Sequence, residues 1–291
     1  MDTMEVPPKR ELPKPDTFEG LSRYRPPLCY ELVGKRFQLV LDDGYEYELE
    51  FPDKEVLTFG RIDGEKGEFK YDCLKPEAVT YFVNFEESRT SPRTGRTIIL
   101  DLEQSLVTCV IANLGCDPKF PKMPSTKIVF GAIRREDGSV PTIRHGFTNE
   151  LCGRAVDWNY GTFRIVHVYS SERYYRVTFT PKAIKVILSS NPDMRPPEEG
   201  SRSSHVYEDY ADYIKVKDGV YVVNLLESIL CRQRGHGNNL LFLMNLNEMH
   251  DVGRSFGTNN DGNDENYTFG AFGEYFDAKD TLEKTSTYHI R

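Results

Sequence analysis

The stretch Phe37–Phe51, FQLVLDDGYEYELEF, decides the fold class of the chain. Apolar and polar residues alternate on both sides of Asp42, Asp43 and Gly44, and this period of two is that of β-strands. The Asp-Asp-Gly centre has the composition of a tight turn that closes a β-hairpin. The stretch therefore predicts two paired antiparallel strands.

Short segments of the same kind continue through the chain, separated by Gly, Pro or charged residues. Long segments with apolar residues at every third or fourth position are scarce, which favours strands over helices. In the first half the predicted strands are Glu55–Phe59, Thr80–Glu86, Thr97–Leu102, Leu106–Ala112 and Ile128–Ile133. In the second half they are TFRIVHVYS, RYYRVTFTP, DYIKVK, GVYVVNLL, NLLFLMNL and YTFGAFGEYF, with turns at KDG and NNDGND. Pro192, Pro196 and Pro197 predict an exposed loop in this half.

Three short sequences of the first half recur in the second. Tyr81–Ser88 recurs as Tyr221–Ser228 at an offset of 140 in the numbering, and Phe130–Ala132 recurs as Phe269–Ala271 at an offset of 139. Leu32–Lys35 resembles Leu151–Arg154 at an offset of 119. Their common order indicates a duplicated all-β unit. Two barrels fit such a unit because closing a sheet pairs its edges, and two half-sized sandwiches remain an alternative.

Charge and composition exclude several classes of function. The chain has 37 Lys and Arg against 45 Asp and Glu, a net charge of −8, so no positive field favours nucleic acid or an anionic membrane as a partner. It has no apolar run long enough for a transmembrane helix, and its first residues are charged and proline-rich, so a cytoplasmic protein is expected. The cysteines lack a C-x-x-C pair and the glycines form no nucleotide-binding motif, so no metal and no cofactor are predicted.

The sequence also resembles a known family. In the second half, HGFTNELCGRAVDWNYG, IVHVYSSERYY, DYIKVKDGVYVVN and DENYTFGAFGEYF closely resemble the C-terminal domain of the MoaF family, which is named for molybdenum cofactor biosynthesis. In the first half, LVGKRFQLVLDDGYEYELEF resembles the MoaF N-terminal domain and, more distantly, the phenolic acid decarboxylases. The resemblance implies a lipocalin-like (calycin) barrel in each half.

The expected architecture is all-β, with tandem antiparallel lipocalin-like (calycin) β-barrels and a minor helical component. The expected divisions are an extended N-terminal arm at 1–27, a first MoaF-like barrel at 28–135, a linker at 136–148, a second MoaF-like barrel at 149–280 and a C-terminal tail at 281–291.

The decarboxylase resemblance implies particular residues inside the first barrel. That family places two tyrosines before its turn to hold the substrate carboxylate, with an arginine and a glutamate across the barrel. Here Leu39 and Leu41 take the tyrosine positions, and neither can hydrogen-bond a carboxylate. Glu87 falls at the glutamate position and Arg61 near the arginine position. Both are therefore expected to bind substrate, together with Tyr47 of the hairpin.

The second barrel is expected to hold the better equipped cavity. The resemblance places the Tyr160 hydroxyl at one of the two tyrosine positions, and Glu227 matches Glu87 through the repeat. MoaF C-terminal domains usually carry positive charges beside that glutamate, and this chain has none there. A carboxylate that faces inward is desolvated, which raises its pKa and suits it to acid–base work. Because strand residues alternate, the alternative is a glutamate that faces solvent.

Four further residues complete the predicted site. His167 and Tyr169 share a strand face, where a histidine could exchange a proton near neutral pH or be satisfied by a neighbouring strand. Trp158, the only tryptophan, is expected to form an aromatic wall for a ligand or to plug the barrel floor. Arg234 would reach an acidic ligand group at the barrel mouth or lie in a solvated hairpin loop.

These residues favour a cofactor-independent enzyme that binds a small, largely apolar organic molecule and catalyses a lyase, isomerase or cyclase step in a metabolic or natural-product pathway. Glu227 would be the general acid or base, while Tyr160 and His167 would polarise or protonate the substrate. The alternatives are a non-catalytic carrier or sensor and a pathway accessory protein with filled barrels. The small molecule is the expected partner, and a homodimer is left open.

Overall fold

The computed structural model describes residues 21–180, 207–259 and 262–277. Within these ranges the chain forms seventeen strands and one helix. The predicted loop around Pro192, Pro196 and Pro197, most of the N-terminal arm and the C-terminal tail lie outside them. No helix in the described ranges is long and apolar enough to span a bilayer.

The first eight strands close into an antiparallel barrel. They are β1 Arg36–Leu41, β2 Glu46–Glu50, β3 Val56–Arg61, β4 Lys66–Glu77, β5 Thr80–Ser88, β6 Arg93–Asp101, β7 Leu106–Leu114 and β8 Ser125–Ile133. Each strand pairs with the next, and β1 pairs with β8, where Leu39 lies opposite Ile133. The predicted hairpin is β1–β2, and Gly44 in its turn has a φ of 88°, which glycine adopts without strain.

The second half closes a barrel of the same kind. Its elements are β9 Gly146–Phe147, β10 Ala155–Asn159, β11 Arg164–Val168, β12 Tyr174–Thr178, β13 Tyr207–Lys217, β14 Val220–Leu226, α1 Ser228–Arg234, β15 Asn238–Asn245, β16 His250–Thr258 and β17 Asp264–Tyr275. Strands β10 to β17 pair in sequence and β10 pairs with β17, while β9 adds to β13 outside the barrel. The predicted all-β tandem of antiparallel barrels with a minor helix is confirmed.

The two barrels pack against each other through the outer faces of their strands. Leu74, Phe82 and Ile99 of the first barrel join Val222 and Leu243 of the second in one buried apolar cluster. Strand β14 is therefore buried on both faces, which explains its nearly continuous apolar sequence.

Strand β16 was not predicted, because its sequence HDVGRSFGT breaks the apolar pattern. All nine of its residues are nevertheless buried. The polar Arg254 is accommodated at the boundary between the barrels, where it donates to the carbonyl oxygens of Arg96 at 2.9 Å and Phe85 at 3.1 Å. Because these acceptors satisfy the guanidinium, it can be buried at a position where an apolar side chain would be expected. The alternation of apolar and polar residues in the sequence does not show this.

The duplication is visible as a recurring carboxylate that accepts hydrogen bonds from one lysine and one tyrosine. The residues are Glu31, Lys75 and Tyr81 in the first barrel and Glu150, Lys215 and Tyr221 in the second. The tyrosine hydroxyl lies 2.9 Å from the carboxylate in the first barrel and 2.7 Å in the second. The two glutamates differ by 119 in the numbering and the other two pairs by 140, the same offsets as in the sequence repeat.

The two Phe-Gly-Ala sequences do not occupy equivalent positions in the two barrels, so this part of the predicted repeat is wrong by one residue. Phe130 packs among the outward-facing residues between the barrels, whereas Phe269 lies in the core of the second barrel. A slip of one residue moves a strand side chain to the opposite face. The inward-facing counterpart of Phe269 is Val129, which lies in the first core and restores the offset of 140.

Candidate functional site

Inside the first barrel, Glu87 is paired with an arginine that the sequence did not single out. Arg96 of β6 donates from Nη2 to Oε2 of Glu87 at 2.9 Å and from Nη1 to Sγ of Cys109 at 3.0 Å. Its guanidinium lies 4.8 Å from the ring centroid of Phe59, and the residue is only 8% exposed. Glu87 therefore neutralises a buried cation.

Arg61, which is also expected to bind substrate, pairs with Asp63 and not with Glu87. Arg61 lies at the exposed end of β3, donates to Asp63 from Nε at 2.9 Å and Nη2 at 2.8 Å, and covers the ring of Tyr45. Tyr47 does turn inward, where its ring stacks on that of Phe59. Its hydroxyl donates to Oδ2 of Asp43 at 2.9 Å, and burial raises the pKa of Tyr47 to about 12.

In the second barrel, Glu227 follows β14 immediately and continues the inward-facing series of Val223 and Leu225. The backbone N–H of Asn238 donates to its Oε2 at 2.9 Å. Burial raises the pKa of Glu227 to about 7, and the hydrogen bond from Asn238 offsets only part of this rise. Among the described residues, no lysine or arginine forms an ion pair with this carboxyl group.

The strand register explains why the two glutamates differ. Arg96 lies opposite Phe85 in the β5–β6 ladder, and Leu240 lies opposite Leu225 in the β14–β15 ladder. Phe85 and Leu225 each lie two residues before the glutamate of their barrel, so Arg96 and Leu240 occupy equivalent positions. The second copy thus has a leucine where the first has an arginine. Without that cation, Glu227 titrates near neutral pH.

Tyr267 of β17 lies within electrostatic range of Glu227, and two further polar side chains of β16 and β17 adjoin it. Ser255 is paired with Tyr267 across the ladder and lies beside Glu265. Burial raises the pKa of Glu265, and burial together with the charge of Glu265 raises the pKa of Tyr267 to about 12. The negative charge of Glu227 acts in the same direction on Tyr267. We refer to Glu227, Ser255, Glu265 and Tyr267 as the mouth cluster.

Tyr160 lies directly after β10 and meets a second carboxyl group inside the barrel. Its hydroxyl is 3.5 Å from Oδ2 of Asp251, while Oδ1 of Asp251 accepts the backbone N–H of Ala271 at 2.7 Å. Burial raises the pKa of both Tyr160 and Asp251 well above their ordinary values. Burial thus favours the protonated form of the Asp251 carboxyl group. Sequence reasoning missed it because β16 was not recognised as a strand.

Trp158 and Tyr169 lie deep in the barrel and contact each other. The indole Nε1 of Trp158 donates to the Tyr169 hydroxyl at 3.3 Å, and that hydroxyl lies 3.1 Å from Sδ of Met244. Both aromatic residues are completely buried. They form a packed aromatic layer in the interior, and contact with a ligand remains a prediction for both.

His167 lies in the same aromatic interior. Its ring centroid is 5.5 Å from that of Phe242, which in turn is 5.2 Å from Phe269, the ring that Tyr160 contacts at 5.8 Å. Burial lowers the pKa of His167 to about 4. The ring is therefore neutral at pH 7, contrary to the expectation that it exchanges a proton there. Phenylalanine rings also separate it from Tyr160, so the three predicted catalytic side chains do not meet at one point.

Arg234 lies in the last turn of a helix rather than in the hairpin loop expected for CRQRGHGNN. The helix α1 ends at Gly235, which has a φ of 81°. Asp209 stabilises its first turn by accepting the backbone N–H groups of Ile229 and Leu230, both at 3.0 Å. The exposed Arg234 exerts a weak pKa-lowering effect on Glu227.

The described residues contain no group of three or more His, Cys, Asp or Glu side chains arranged to hold a metal ion.

The first half of the chain matches a known protein family. Residues 15–116, about a third of the chain, match the family model described as the MoaF N-terminal domain. The first barrel is MoaF-like.

This match confirms the resemblance to the MoaF family in the N-terminal region. It ends in the connection between β7 and β8, so the resemblance of the second barrel to MoaF C-terminal domains rests on the sequences quoted above. No curated protein matches the chain. A crystal structure of a candidate β-lactamase from Burkholderia vietnamiensis is 19% identical over 38% of this chain and 96% of that chain, with a TM-score of 0.29, too low to support an argument.

Proposed function

We propose that this MoaF-like tandem barrel binds a small, largely apolar organic molecule at the mouth cluster and transforms it by general acid–base catalysis. The observation that carries the proposal is Glu227, an inward-facing carboxyl group whose pKa is raised to about 7. A group with a pKa near the working pH is present in both protonation states and can both donate and accept a proton.

The Tyr267 hydroxyl group suits the same chemistry. Its pKa is raised to about 12, so it stays protonated at neutral pH and can donate a hydrogen bond to an oxygen atom that gains negative charge. Proton transfer by Glu227 with such a donor fits a lyase, an isomerase or a cyclase step. The fully buried Trp158 and Phe269 form the apolar layer beneath.

The single tryptophan provides a direct binding assay for the second barrel. Trp158 is the only tryptophan of the chain, so intrinsic tryptophan fluorescence reports on this barrel alone. Compounds that accumulate when the gene is deleted are titrated into the purified protein, and binding is expected to change the Trp158 emission. The same compounds are then incubated with the wild type, Glu227→Gln and Glu87→Gln.

We expect turnover by the wild type and by Glu87→Gln, and loss of at least about a hundredfold in Glu227→Gln, the usual contribution of a general acid or base. Equal turnover by all three proteins would remove Glu227 from the mechanism. A change in Trp158 emission without turnover by the wild type would instead support a carrier, the alternative favoured by the aromatic packing around Trp158.

A further inference from the structure

The segment before β1 connects the two barrels along their surface. Ser22 Oγ donates to the carbonyl oxygen of Thr268 at 3.1 Å, and Arg25 Nη1 donates to Oγ1 of the same residue at 2.9 Å. The ring of Tyr24 lies 5.6 Å from that of Phe272. This segment therefore lies against β17 of the second barrel before it reaches the first.

Four residues after Arg25, the segment is hydrogen-bonded to the first barrel at a pair of cysteines. The backbone N–H of Cys29 donates to the carbonyl oxygen of Cys73 on β4 at 2.8 Å. The two thiols are also hydrogen-bonded to each other, so the side chains already point towards one another as a disulfide requires. Both thiols are free, and both side chains pack in the first core.

The second barrel repeats this backbone contact without the cysteines. There the N–H of Thr148 donates to the carbonyl oxygen of Tyr213 at 3.0 Å, and these residues follow Cys29 and Cys73 by the repeat offsets of 119 and 140. The hydrogen bond therefore belongs to the duplicated fold. The adjacent thiols are an addition specific to the first copy.

The two thiols have opposite properties. The pKa of Cys29 is lowered to about 6, mainly by its hydrogen bond with the thiol of Cys73. The positive charge of Lys75 also lowers this pKa, whereas burial raises it. The pKa of Cys73 is raised by its contact with Cys29 and by burial. Cys29 is also partly exposed, whereas Cys73 is only 1% exposed. Cys29 is thus the accessible nucleophile and Cys73 the protected second thiol.

We propose that Cys29 and Cys73 are a thiol pair that hydrogen peroxide oxidises to a reversible disulfide. The disulfide would join the segment before β1, residues 22–29, to β4. The Cys29 thiolate attacks one oxygen atom of hydrogen peroxide, the O–O bond breaks, and the departing hydroxide takes up a proton to become water. The sulfur atom of Cys73 then attacks the resulting sulfenic acid, the S–O bond breaks, and hydroxide leaves with the proton of Cys73 as a second water. A dithiol reductant restores both thiols.

The test is treatment of the full-length wild-type protein with hydrogen peroxide, followed by alkylation and peptide mass spectrometry. We expect a cross-linked peptide pair that contains Cys29 and Cys73, a loss of the mass of two hydrogen atoms, and full reversal by dithiothreitol. Recovery of both cysteines as alkylated peptides after peroxide treatment would overturn the proposal, as would a disulfide of Cys29 with any other cysteine.

Two variants separate the chemistry from any effect on folding. Cys73→Ser is expected to retain a sulfenic acid at Cys29, which dimedone traps, and Cys152→Ser is the matched control that keeps the disulfide. Without any substitution, the alkylation rate of Cys29 in the wild type should reach its plateau above about pH 7, because its thiolate is then fully formed. A rate that still rises steeply from pH 8 to pH 9 would contradict the assignment of Cys29 as the nucleophile.

Discussion

Glu227 is the counterpart of Glu87 in the duplicated chain, yet among the residues that the structure describes only Glu87 has an arginine within hydrogen-bonding distance. The arginine position of the first barrel is occupied by Leu240 in the second. One copy therefore holds a buried ion pair, and the other holds a carboxyl group that titrates near pH 7. This asymmetry favours the second barrel as the place of acid–base chemistry.

The raised pKa of Glu227 links its protonation to stability. Its folded value of about 7 lies above the ordinary value of 4.5, so the folded state binds the proton more tightly. The resulting stabilisation is complete below about pH 4.5 and is lost as the pH rises through 7, a change of about 3 kcal/mol. In urea unfolding, we expect the free energy of unfolding of Glu227→Gln to rise by this amount relative to that of the wild type as the pH increases from 4.5 to 8. A difference that does not vary with pH would contradict the shift.

Arg96 stabilises the first barrel by occupying the space beside Glu87 and Cys109. Arg96→Leu leaves the carboxylate of Glu87 without its partner, so we expect a loss of about 3 kcal/mol in the free energy of unfolding. The matched control is Arg61→Leu, which breaks the exposed contact with Asp63 and should cost much less. Equal losses in chemical denaturation would show that the interior pair has no special role.

Asp251 should tolerate an uncharged substitute. Burial raises the pKa of its carboxyl group well above the ordinary value and so favours the uncharged form, and Asp251→Asn preserves the acceptor for the N–H of Ala271. We expect it to lower the free energy of unfolding by less than about 1 kcal/mol, whereas Asp251→Leu leaves that N–H unpaired and should cost about 1–3 kcal/mol. If asparagine were as disruptive as leucine in thermal unfolding, the carboxyl group would have to be ionised.

Arg254 joins the barrels through main-chain acceptors of the first one. Arg254→Met removes its hydrogen bonds to the carbonyl oxygens of Phe85 and Arg96 and leaves both acceptors buried, so we expect a loss of about 3 kcal/mol. Hydrogen exchange should also accelerate in β6 and β16 together. The exposed Arg232→Met serves as the control, and comparable exchange in the two variants would argue against this bridge.

Local patterns predicted the fold where strands alternate between a core and solvent, as in the hairpin at Asp42–Gly44. They failed at β16, because burial against a second barrel lets Arg254 occupy an outward position that a single sheet would leave to solvent. The sequence also missed two interior residues for a related reason. Glu227 was found through the repeat, but Arg96 and Asp251 act only because strand register turns them inward, and register depends on pairings distant in sequence.

Proton exchange by Glu227 near neutral pH is the property on which the proposed chemistry of the second barrel depends. Its most direct test is a carbon-13 NMR titration of the glutamate carboxyl groups in the full-length protein, with the Glu227 signal assigned by its disappearance in Glu227→Gln. The structure predicts a midpoint of about 7. A midpoint near the ordinary value of 4.5 would contradict this property and, with it, the proposed acid–base chemistry.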